Sequence, residues 1–367
     1  MTAVLNTGLD VRVAGTEIVF GCRPDETVLD AAERAGYALP YSCRKGVCAA
    51  CEATLTRGTA RVPGRGRLVG PAEGVALCRA VPESAVEIVP GRIERAEPPA
   101  RRTMVATVHR ISHPAPDVAV LALRYPIGKR VRFRAGQYLT VRLPGGETRN
   151  YSMANPPHRN DSALLHVRRV PGGAFSERLL AGLHRGDRLT VTLPFGGFTV
   201  DHESPRPILL AVTGTGFAPA KSIIEDLIQR RTRRSVRLYW GAHRPPDLYA
   251  ADLVARWAAR YPWFRFTPVL SAPPTGWTGH TGHLQRAVLA EEPDLRGHDV
   301  YACGNPAMTA AALTEFTTRG GLPPARFHAD AFLPTGDADP SEPAPADPSD
   351  ADPAGPAGAE PAPASTR

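Results

Sequence analysis

Tyr41-Ser42-Cys43-Arg44-Lys45-Gly46-Val47-Cys48-Ala49-Ala50-Cys51 is the stretch that decides the fold of this chain. Its three cysteines have the spacing C-x4-C-x2-C, and Cys78 follows as a fourth. A loop that supplies three thiols must wrap closely around what they bind, so it needs small residues, and Gly46 and the Ala49-Ala50 pair provide them. The spacing therefore predicts one small site made of four thiolates: Cys43, Cys48, Cys51 and Cys78.

The same spacing is typical of a plant-type [2Fe–2S] centre, in which four cysteines hold two irons and two bridging sulfides. A zinc site is an alternative, but structural zinc sites usually pair two C-x2–4-C knuckles, whereas Cys78 stands alone. A disulfide framework would require an oxidising compartment, and residues 1–10 lack the basic start and apolar core of a signal peptide. We therefore expect a [2Fe–2S] cluster in a cytoplasmic protein, with Cys22 and Cys303 outside the pattern.

Length and charge limit the classes of function. A chain of 367 residues predicts two or three domains. It has no apolar run of about 18 residues, so we expect no transmembrane helix and no membrane partner. Residues 103–200 hold fourteen basic and five acidic side chains. Because the basic residues are scattered along predicted strands, they favour a phosphate-rich cofactor or an acidic protein partner, and we expect no nucleic-acid binding.

Short strands around a helix are predicted in residues 1–90. The segments 9–13 and 17–20 alternate in polarity, 28–35 is amphipathic and ends at Gly36, and 85–89 forms a closing strand. Together with the cysteine loop, this order resembles a β-grasp [2Fe–2S] ferredoxin. Residues 91–102 are charged and contain Pro-Pro, which predicts a linker.

Two further domains and a tail are predicted after the linker. In residues 103–201, strand-like runs separated by turn residues predict an antiparallel β-barrel. In residues 202–333, strands alternate with helices, which predicts an α/β domain with a parallel sheet. Residues 334–367 are almost all Pro, Ala, Asp, Glu, Ser and Gly, so we expect a disordered acidic tail, with a tether as the alternative.

The first chemical motif of the predicted barrel is Arg149-Asn150-Tyr151-Ser152, with Arg134-Ala135-Gly136-Gln137-Tyr138 upstream. An arginine can pair with a pyrophosphate, a tyrosine ring can pack against an isoalloxazine, and a hydroxyl can hydrogen-bond near flavin N5. A strand with a surface arginine and a core tyrosine is the alternative. The motif resembles the flavin-binding motif of the ferredoxin–NADP reductase superfamily. The resemblance implies FAD contacts from four residues: Tyr138, Arg149, Tyr151 and Ser152.

A second motif, Pro171-Gly172-Gly173-Ala174-Phe175-Ser176-Glu177, places glycines before a helix predicted to begin near Ser176. Backbone N–H groups at a helix start bind phosphate. Gly172, Gly173 and Ser176 resemble the superfamily's second flavin-phosphate motif, and Pro194-Phe195-Gly196-Gly197-Phe198 resembles the turn that closes its flavin domain.

A strand, a glycine turn and a helix open the third domain at Val212-Thr213-Gly214-Thr215-Gly216-Phe217-Ala218-Pro219. Backbone amides at such a turn can approach a dinucleotide pyrophosphate. The superfamily usually has Gly-Gly-Thr-Gly followed by Ile- or Leu-Ala-Pro, so Thr213 is a departure at the first glycine. The resemblance implies nicotinamide-nucleotide contacts from Gly214, Thr215, Gly216 and Pro219.

Two later segments complete the predicted nicotinamide site. Residues 239–249 resemble the segment that contacts the adenosine half, where Arg244 would meet a 2′-phosphate and Asp247 a ribose hydroxyl. Alternatively, Asp247 caps a helix. Residues 300–308 resemble Cys-Gly-Pro-Pro-x-Met, with Asn305 in place of the first proline, which implies that Cys303 and Gly304 lie beside the nicotinamide. Alone, Cys303 would be a buried structural cysteine.

The last predicted ordered segment is Phe327-His328-Ala329-Asp330-Ala331-Phe332-Leu333. Members of the superfamily often end with an aromatic residue near the flavin face. The resemblance makes Phe332 the candidate for that position, and a core phenylalanine in a last strand is the alternative.

The order of the three motif sets, over residues 5–333, resembles the iron–sulfur flavoprotein reductases of bacterial multicomponent oxygenases. The resemblance implies hydride transfer from NADH or NADPH to FAD, with Ser152 and Cys303 as the catalytic residues that hold the reacting rings. Single electrons would then pass through the [2Fe–2S] cluster to an oxygenase component or another electron-acceptor protein. We expect NADH dependence and a monomer.

Two alternatives remain open. The first is a reductase that serves a deoxysugar dehydrase, because its motifs would be the same. The second is a redox sensor or electron carrier without nicotinamide turnover, which the departures at Thr213 and Asn305 would favour.

Overall fold

The computed structural model describes residues 8–96 and 100–333. The predicted disordered tail, 334–367, and residues 97–99 of the predicted linker lie outside the described residues. No helix within the described ranges is long and apolar enough to cross a membrane.

The first region forms a main sheet in the order β2-β1-β9-β4-β7, with small sheets β10-β3 and β6-β5-β8 beside it. β1 pairs antiparallel with β2 and parallel with β9, as in a β-grasp fold. Its elements are β1 Leu9–Val13, β2 Val19–Cys22, α1 Val28–Arg34, β3 Tyr37–Ala38, β4 Glu52–Arg57, β5 Thr59–Val62, β6 Gly66–Val69, β7 Ala72–Ala76, β8 Val81–Pro82, β9 Val86–Pro90 and β10 Glu94–Arg95.

Local sequence explains how α1 begins and ends. The Thr27 hydroxyl accepts a hydrogen bond from the Asp30 N–H at 3.2 Å, which caps the first turn. Gly36, at a φ of 80°, takes the left-handed conformation that follows the last turn. Val28 and Leu29 are buried against the main sheet, so the polar face of α1 is left for other contacts.

The second region is an antiparallel sheet in the order β14-β13-β16-β11-β12-β15. A bridge between Met153 and Leu165 joins its two outer strands, so the sheet closes into the predicted barrel. Inward-facing residues such as Leu121, Leu139 and Val191 are fully buried in its core. Its strands are β11 Arg102–Ala115, β12 Val118–Arg124, β13 Tyr138–Arg142, β14 Thr148–Ser152, β15 Ser162–Arg168 and β16 Arg188–Phe195.

The third region is a parallel sheet in the order β20-β19-β18-β17-β21-β22, with helices on its faces. β17 and β21 lie inside the sheet and are almost entirely buried because helices cover both sides. The elements are β17 Ile208–Thr213, α2 Phe217–Gln229, β18 Val236–Ala242, α3 Ala251–Arg260, β19 Phe264–Leu270, β20 His280–Thr281, α4 Leu284–Glu291, β21 Asp299–Gly304, α5 Pro306–Thr318 and β22 Phe327–Ala331.

The loop between β3 and β4, which carries three of the cysteines, lies where the three regions meet. On the barrel side, the Gly197 N–H donates to the Tyr41 carbonyl at 3.0 Å. On the other side, Cys43 and Cys48 pack against Ala329 and Ala331 of β22. The cysteine loop is thus held between the barrel and the edge strand of the parallel sheet.

Candidate functional site

The four predicted metal-binding cysteines come together as two pairs of thiols. Cys43 and Cys48 share one hydrogen bond, and Cys51 and Cys78 share another. All four are buried, and none forms a disulfide. Within the described residues, no three His, Cys, Asp or Glu side chains converge as ligands of one metal ion. Two adjacent thiol pairs fit two irons, each bound by one pair, better than they fit a single zinc ion.

In each thiol pair one cysteine is favoured as the thiolate and the other as the thiol: hydrogen bonds to Cys43 and Cys51, together with burial, raise the pKa of Cys48 and Cys78. A hydrogen bond from the Cys48 thiol and the N–H groups of Val47, Lys45 and Cys48 lower the pKa of Cys43 to about 5, against the effect of burial. A hydrogen bond from the Cys78 thiol likewise lowers the pKa of Cys51. Because the thiolate is the form that binds metal, Cys43 and Cys51 are favoured as ligands by the loop itself, whereas Cys48 and Cys78 lose their protons when metal binds.

One cavity of about 880 Å³ lies between the barrel and the parallel sheet and reaches the cysteine loop. This volume is in the range of cofactor sites. Most of the residues predicted to contact FAD or the nicotinamide nucleotide line it, together with one cluster cysteine: Tyr138, Arg149, Tyr151, Ser152, Gly173, Ser176, Gly214, Thr215, Gly304, Phe332 and Cys43.

Several predicted residues lie behind the cavity wall or away from it: Gly172, Gly216, Pro219, Arg244, Asp247 and Cys303. Gly172 is exposed, and its N–H donates to Glu177 at 2.6 Å. The Asp247 carboxylate accepts the Arg244 N–H at 2.8 Å, as in the alternative of a helix cap. The Cys303 thiol is fully buried in the core of the parallel-sheet region, where burial raises its pKa well above the ordinary value.

The barrel wall of the cavity fits a flavin. Tyr138 is 3% exposed, stacks on Phe195 at 5.6 Å between ring centroids, and has a hydroxyl without a hydrogen-bond partner among the described residues. A buried hydroxyl without a partner is costly, so a polar atom of a bound molecule is expected there. Tyr151 packs against Phe175 at 4.9 Å, and Arg149 pairs with Glu147 at 2.8 Å.

The predicted phosphate loop leaves no space for a side chain at Gly173. A Cβ on Gly173 would lie 2.5 Å from Ser176 Oγ and 2.9 Å from the Val170 carbonyl oxygen, so a larger residue would distort the turn. The Ser176 hydroxyl accepts the Val170 N–H at 3.1 Å. The helix predicted from Ser176 is a π-helical turn over Ala174–Leu179. The N–H of Glu177 bonds the Gly173 carbonyl at 3.1 Å.

The nicotinamide loop is packed closely against β21. A Cβ on Gly216 would lie 2.2 Å from the Cys303 carbonyl oxygen, and a Cβ on Gly304 would lie 2.2 Å from Thr213 Oγ1. The Trp240 indole N–H donates to the Gly214 carbonyl at 3.2 Å. These contacts leave the Gly214-Thr215 turn facing the cavity, as expected for a turn that approaches a pyrophosphate.

Three charged residues that sequence reasoning missed also line the cavity: Lys45, Arg168 and Asp330. Lys45 comes from the cysteine loop, and its ammonium lies near the charges of Arg149 and Asp330. The Arg168 guanidinium lies beside Gly214, where an added Cβ would approach it at 3.0 Å, and it pairs with Asp117 at 2.9 Å.

Asp330 lies between the cysteine loop and the flavin motif. Burial raises its pKa to about 7, the charge of Cys43 adds to the rise, and the hydroxyls of Ser42 and Ser152 oppose it. Only the position of this acidic residue between two alanines of the last strand signals a role in the sequence.

Comparison with protein families assigns each region. The family described as "2Fe-2S iron-sulfur cluster binding domain" matches residues 11–83. The "Oxidoreductase FAD-binding domain" matches residues 103–200, and the "Oxidoreductase NAD-binding domain" matches residues 210–314. The predicted cofactors, a [2Fe–2S] cluster, FAD and NAD(H), are therefore confirmed as those of the families to which these regions belong.

Several relatives match this chain along almost their whole length. Terephthalate 1,2-dioxygenase, reductase component 2, of Comamonas sp is 40% identical to this chain. The match covers 89% of this chain and 98% of the relative's length. A CDP-6-deoxy-L-threo-D-glycero-4-hexulose-3-dehydrase reductase of Yersinia pseudotuberculosis is 34% identical over 89% of this chain and 99% of its own. The crystal structure of an Amycolatopsis cytochrome P450 reductase covers 88% of this chain and 98% of its own, at 32% identity and a TM-score of 0.70.

Proposed function

This chain belongs to the iron–sulfur flavoprotein reductases, whose members include reductase components of bacterial oxygenases, and we propose that it passes electrons from NADH to an oxygenase component. The family membership supports an NAD(P)H-dependent oxidoreductase with FAD and a [2Fe–2S] cluster. The proposal for this chain adds the preferred nucleotide, the class of the partner and the residues involved.

The observation that carries the proposal is that Cys43 lines the same cavity as Tyr138 and Ser152. A cluster ligand therefore forms part of the wall of the candidate flavin site. When bound, FAD accepts two electrons as a hydride and the [2Fe–2S] cluster accepts one at a time. Overall, one NADH gives NAD⁺ and a proton while two acceptor proteins each gain one electron.

We propose the following roles for the chain's own residues. Arg149 and the Gly173–Ser176 turn hold the FAD pyrophosphate. Tyr138, Tyr151 and Phe332 pack on the flavin, and Ser152 places its hydroxyl near the reacting edge. Thr215 and its flanking glycines hold the nicotinamide pyrophosphate. The roles of Cys303, Arg244 and Asp247 stay predictions, as do Gly172 and Pro219.

The oxygenase partner is supported by the terephthalate dioxygenase relative at 40% identity. The dehydrase reductase relative, at 34% identity, supports the second candidate, a reductase for a deoxysugar dehydrase. The sensor without nicotinamide turnover stays the third candidate; the 3.0 Å hydrogen bond from the Asn305 N–H to the Thr213 hydroxyl offers a structural explanation for the two departures that favour it. We also propose a cytoplasmic monomer that binds no nucleic acid, with domain boundaries at 1–90, 103–201 and 202–333.

NADH is proposed over NADPH because the oxygenase reductases that this chain resembles tend to use NADH. The Asp247 carboxylate accepts the Arg244 N–H at 2.8 Å and does not separate the two nucleotides. Arg244 is exposed, so it remains the residue that would favour a 2′-phosphate.

An anaerobic absorption spectrum of the iron-replete protein, before and after one equivalent of NADH, tests the proposal. We expect flavin and cluster bands that both bleach with NADH and bleach much more slowly with NADPH. Absence of cluster absorbance, or bands that neither nucleotide bleaches, would contradict the function. The partner is then tested by electron delivery to a terephthalate-type dioxygenase component and to a dehydrase of the Yersinia type.

A further inference from the structure

Arg101, near the end of the predicted linker 91–102, joins the first region to the barrel. Its guanidinium donates to Glu33 of α1 at 2.7 Å and to the Tyr41 hydroxyl at 3.4 Å. The same guanidinium lies over the Phe195 ring of β16, at 4.4 Å from the centroid. Arg101 thus contacts a helix of the first region, its cysteine loop and the last strand of the barrel.

Arg44, in the cysteine loop, makes a parallel set of contacts. It donates to Glu33 at 2.5 Å and also pairs with Asp30 of α1. Its guanidinium lies 4.6 Å from the centre of the Tyr41 ring and 6.0 Å from that of Phe195. Two cations therefore share the Glu33 carboxylate and the Phe195 ring. Such charge-assisted bonds and cation–π contacts are stronger when water is largely excluded, and Glu33 is only 9% exposed.

Tyr41 fixes the loop to the barrel directly. Its carbonyl accepts the Gly197 N–H at 3.0 Å, and its hydroxyl accepts the Gly196 N–H at 3.3 Å. A Cβ on Gly197 would lie 2.7 Å from the Tyr41 carbonyl oxygen, so only glycine allows this approach. Because Cys43 is two residues further along, these contacts also fix a cluster ligand at the wall of the flavin cavity.

We propose that Arg101 is a positioning residue whose contacts with Glu33, Tyr41 and Phe195, beside the parallel contacts of Arg44, hold the cysteine loop on the barrel and so set the path for electrons from flavin to cluster. This inference rests on the proposed function. Electron transfer between fixed centres slows steeply as they move apart, whereas hydride transfer to the flavin depends on the barrel and the parallel sheet. Loss of the Arg101 contacts should therefore slow electron transfer from the flavin to the cluster and leave hydride transfer to the flavin unchanged.

The test compares Arg101→Gln with Arg101→Lys and with Arg102→Gln, a change at the adjacent exposed arginine. Flavin bleaching and cluster bleaching are followed separately after anaerobic mixing with NADH. For Arg101→Gln we expect flavin bleaching within about twofold of the parent and cluster bleaching at least about tenfold slower. Arg101→Lys keeps the charge next to Glu33 and restores part of the rate, and Arg102→Gln leaves both phases unchanged.

Hydrogen–deuterium exchange supplies a readout that does not need turnover. In Arg101→Gln we expect faster exchange at the amides of Gly196 and Gly197, which bond to Tyr41, and unchanged exchange in the core strand β17. Parent-like cluster bleaching in this variant, or an equal loss in both kinetic phases, would overturn the proposal. If neither nucleotide bleaches the flavin in the parent, the proposed function fails, while the exchange data still show whether Arg101 holds the loop.

Discussion

The backbone N–H of Asn305 donates a 3.0 Å hydrogen bond to the hydroxyl of Thr213. These are two of the positions at which the chain departs from the superfamily motifs, which have proline at the first and glycine at the second. Proline has no N–H to donate and glycine has no hydroxyl to accept, so each departure supplies what the other requires. The departures therefore maintain the contact between the β17 and β21 loops and are no sign of a lost nucleotide site.

A double-mutant cycle on this pair tests that interpretation. We expect Thr213→Val to cost about 1–3 kcal/mol, because it leaves the Asn305 N–H without its acceptor. Asn305→Pro also removes a side-chain cap on the Ala307 N–H and should cost about 1 kcal/mol. In the double variant the N–H is gone, so we expect a favourable coupling of about 1 kcal/mol.

Tryptophan fluorescence during urea unfolding is the measurement, because all 4 tryptophans lie in the parallel-sheet region, at positions 240, 257, 263 and 277. Thr317→Val, at an α5 position whose hydroxyl bonds within its own helix, is the control and should show no coupling with Asn305→Pro. Strictly additive costs for Thr213 and Asn305 would contradict the interpretation.

The buried Tyr138 hydroxyl should contribute to FAD binding. Tyr138→Phe removes a donor that is expected to meet the flavin, so the Kd for FAD should rise by about 3- to 10-fold. Tyr125→Phe is a matched control, because its hydroxyl is also buried without a partner among the described residues but does not line the cavity. Flavin release measured by fluorescence gives both Kd values, and equal effects of the two changes would show that Tyr138 does not contact the cofactor.

Removal of one cluster ligand should abolish the [2Fe–2S] cluster and leave the flavin site intact. Cys78 completes a thiol pair with Cys51 but does not line the flavin cavity. We therefore expect Cys78→Ser to lose iron and cluster absorbance while it retains bound FAD and its bleaching by NADH. Cys22→Ser, at a buried thiol that bonds the Glu26 carbonyl at 3.2 Å, should keep the full iron content.

Sequence reasoning succeeded where the signal is local. The cysteine spacing and the strand–turn–helix glycines lie within a dozen residues, so the cluster site and the Gly214-Thr215 turn were predictable. Lys45 and Asp330 were missed because their role arises only when regions distant in sequence dock on one cavity. The role of Cys303 beside the nicotinamide stays a prediction: its side chain is fully buried in the core of the parallel-sheet region, while its neighbour Gly304 lines the cavity.

Acid should weaken the contact between the barrel and the parallel-sheet region through His166. His166 Nδ1 lies 2.8 Å from the Tyr249 hydroxyl, and the pair packs against Phe217. Burial lowers the pKa of His166 from 6.5 to about 3, and the charge of Lys221 adds to the shift. Between these values the unfolded chain binds the proton and the folded protein does not. The stability from neutral His166 is therefore complete above pH 6.5 and falls as the pH drops toward 3.

The variant His166→Gln tests this dependence, because glutamine does not titrate. It should be less stable than the parent at neutral pH, since it loses ring packing. Between pH 6 and 4, the unfolding free energy of the variant should depend on pH less steeply than that of the parent. The difference in slope should be up to about 1.4 kcal/mol per pH unit. His158→Gln, at an exposed histidine of the barrel, should keep the parent's slope. Urea unfolding followed by tryptophan fluorescence gives the slopes, and a parent-like slope for His166→Gln would show that His166 takes up its proton without opening this contact.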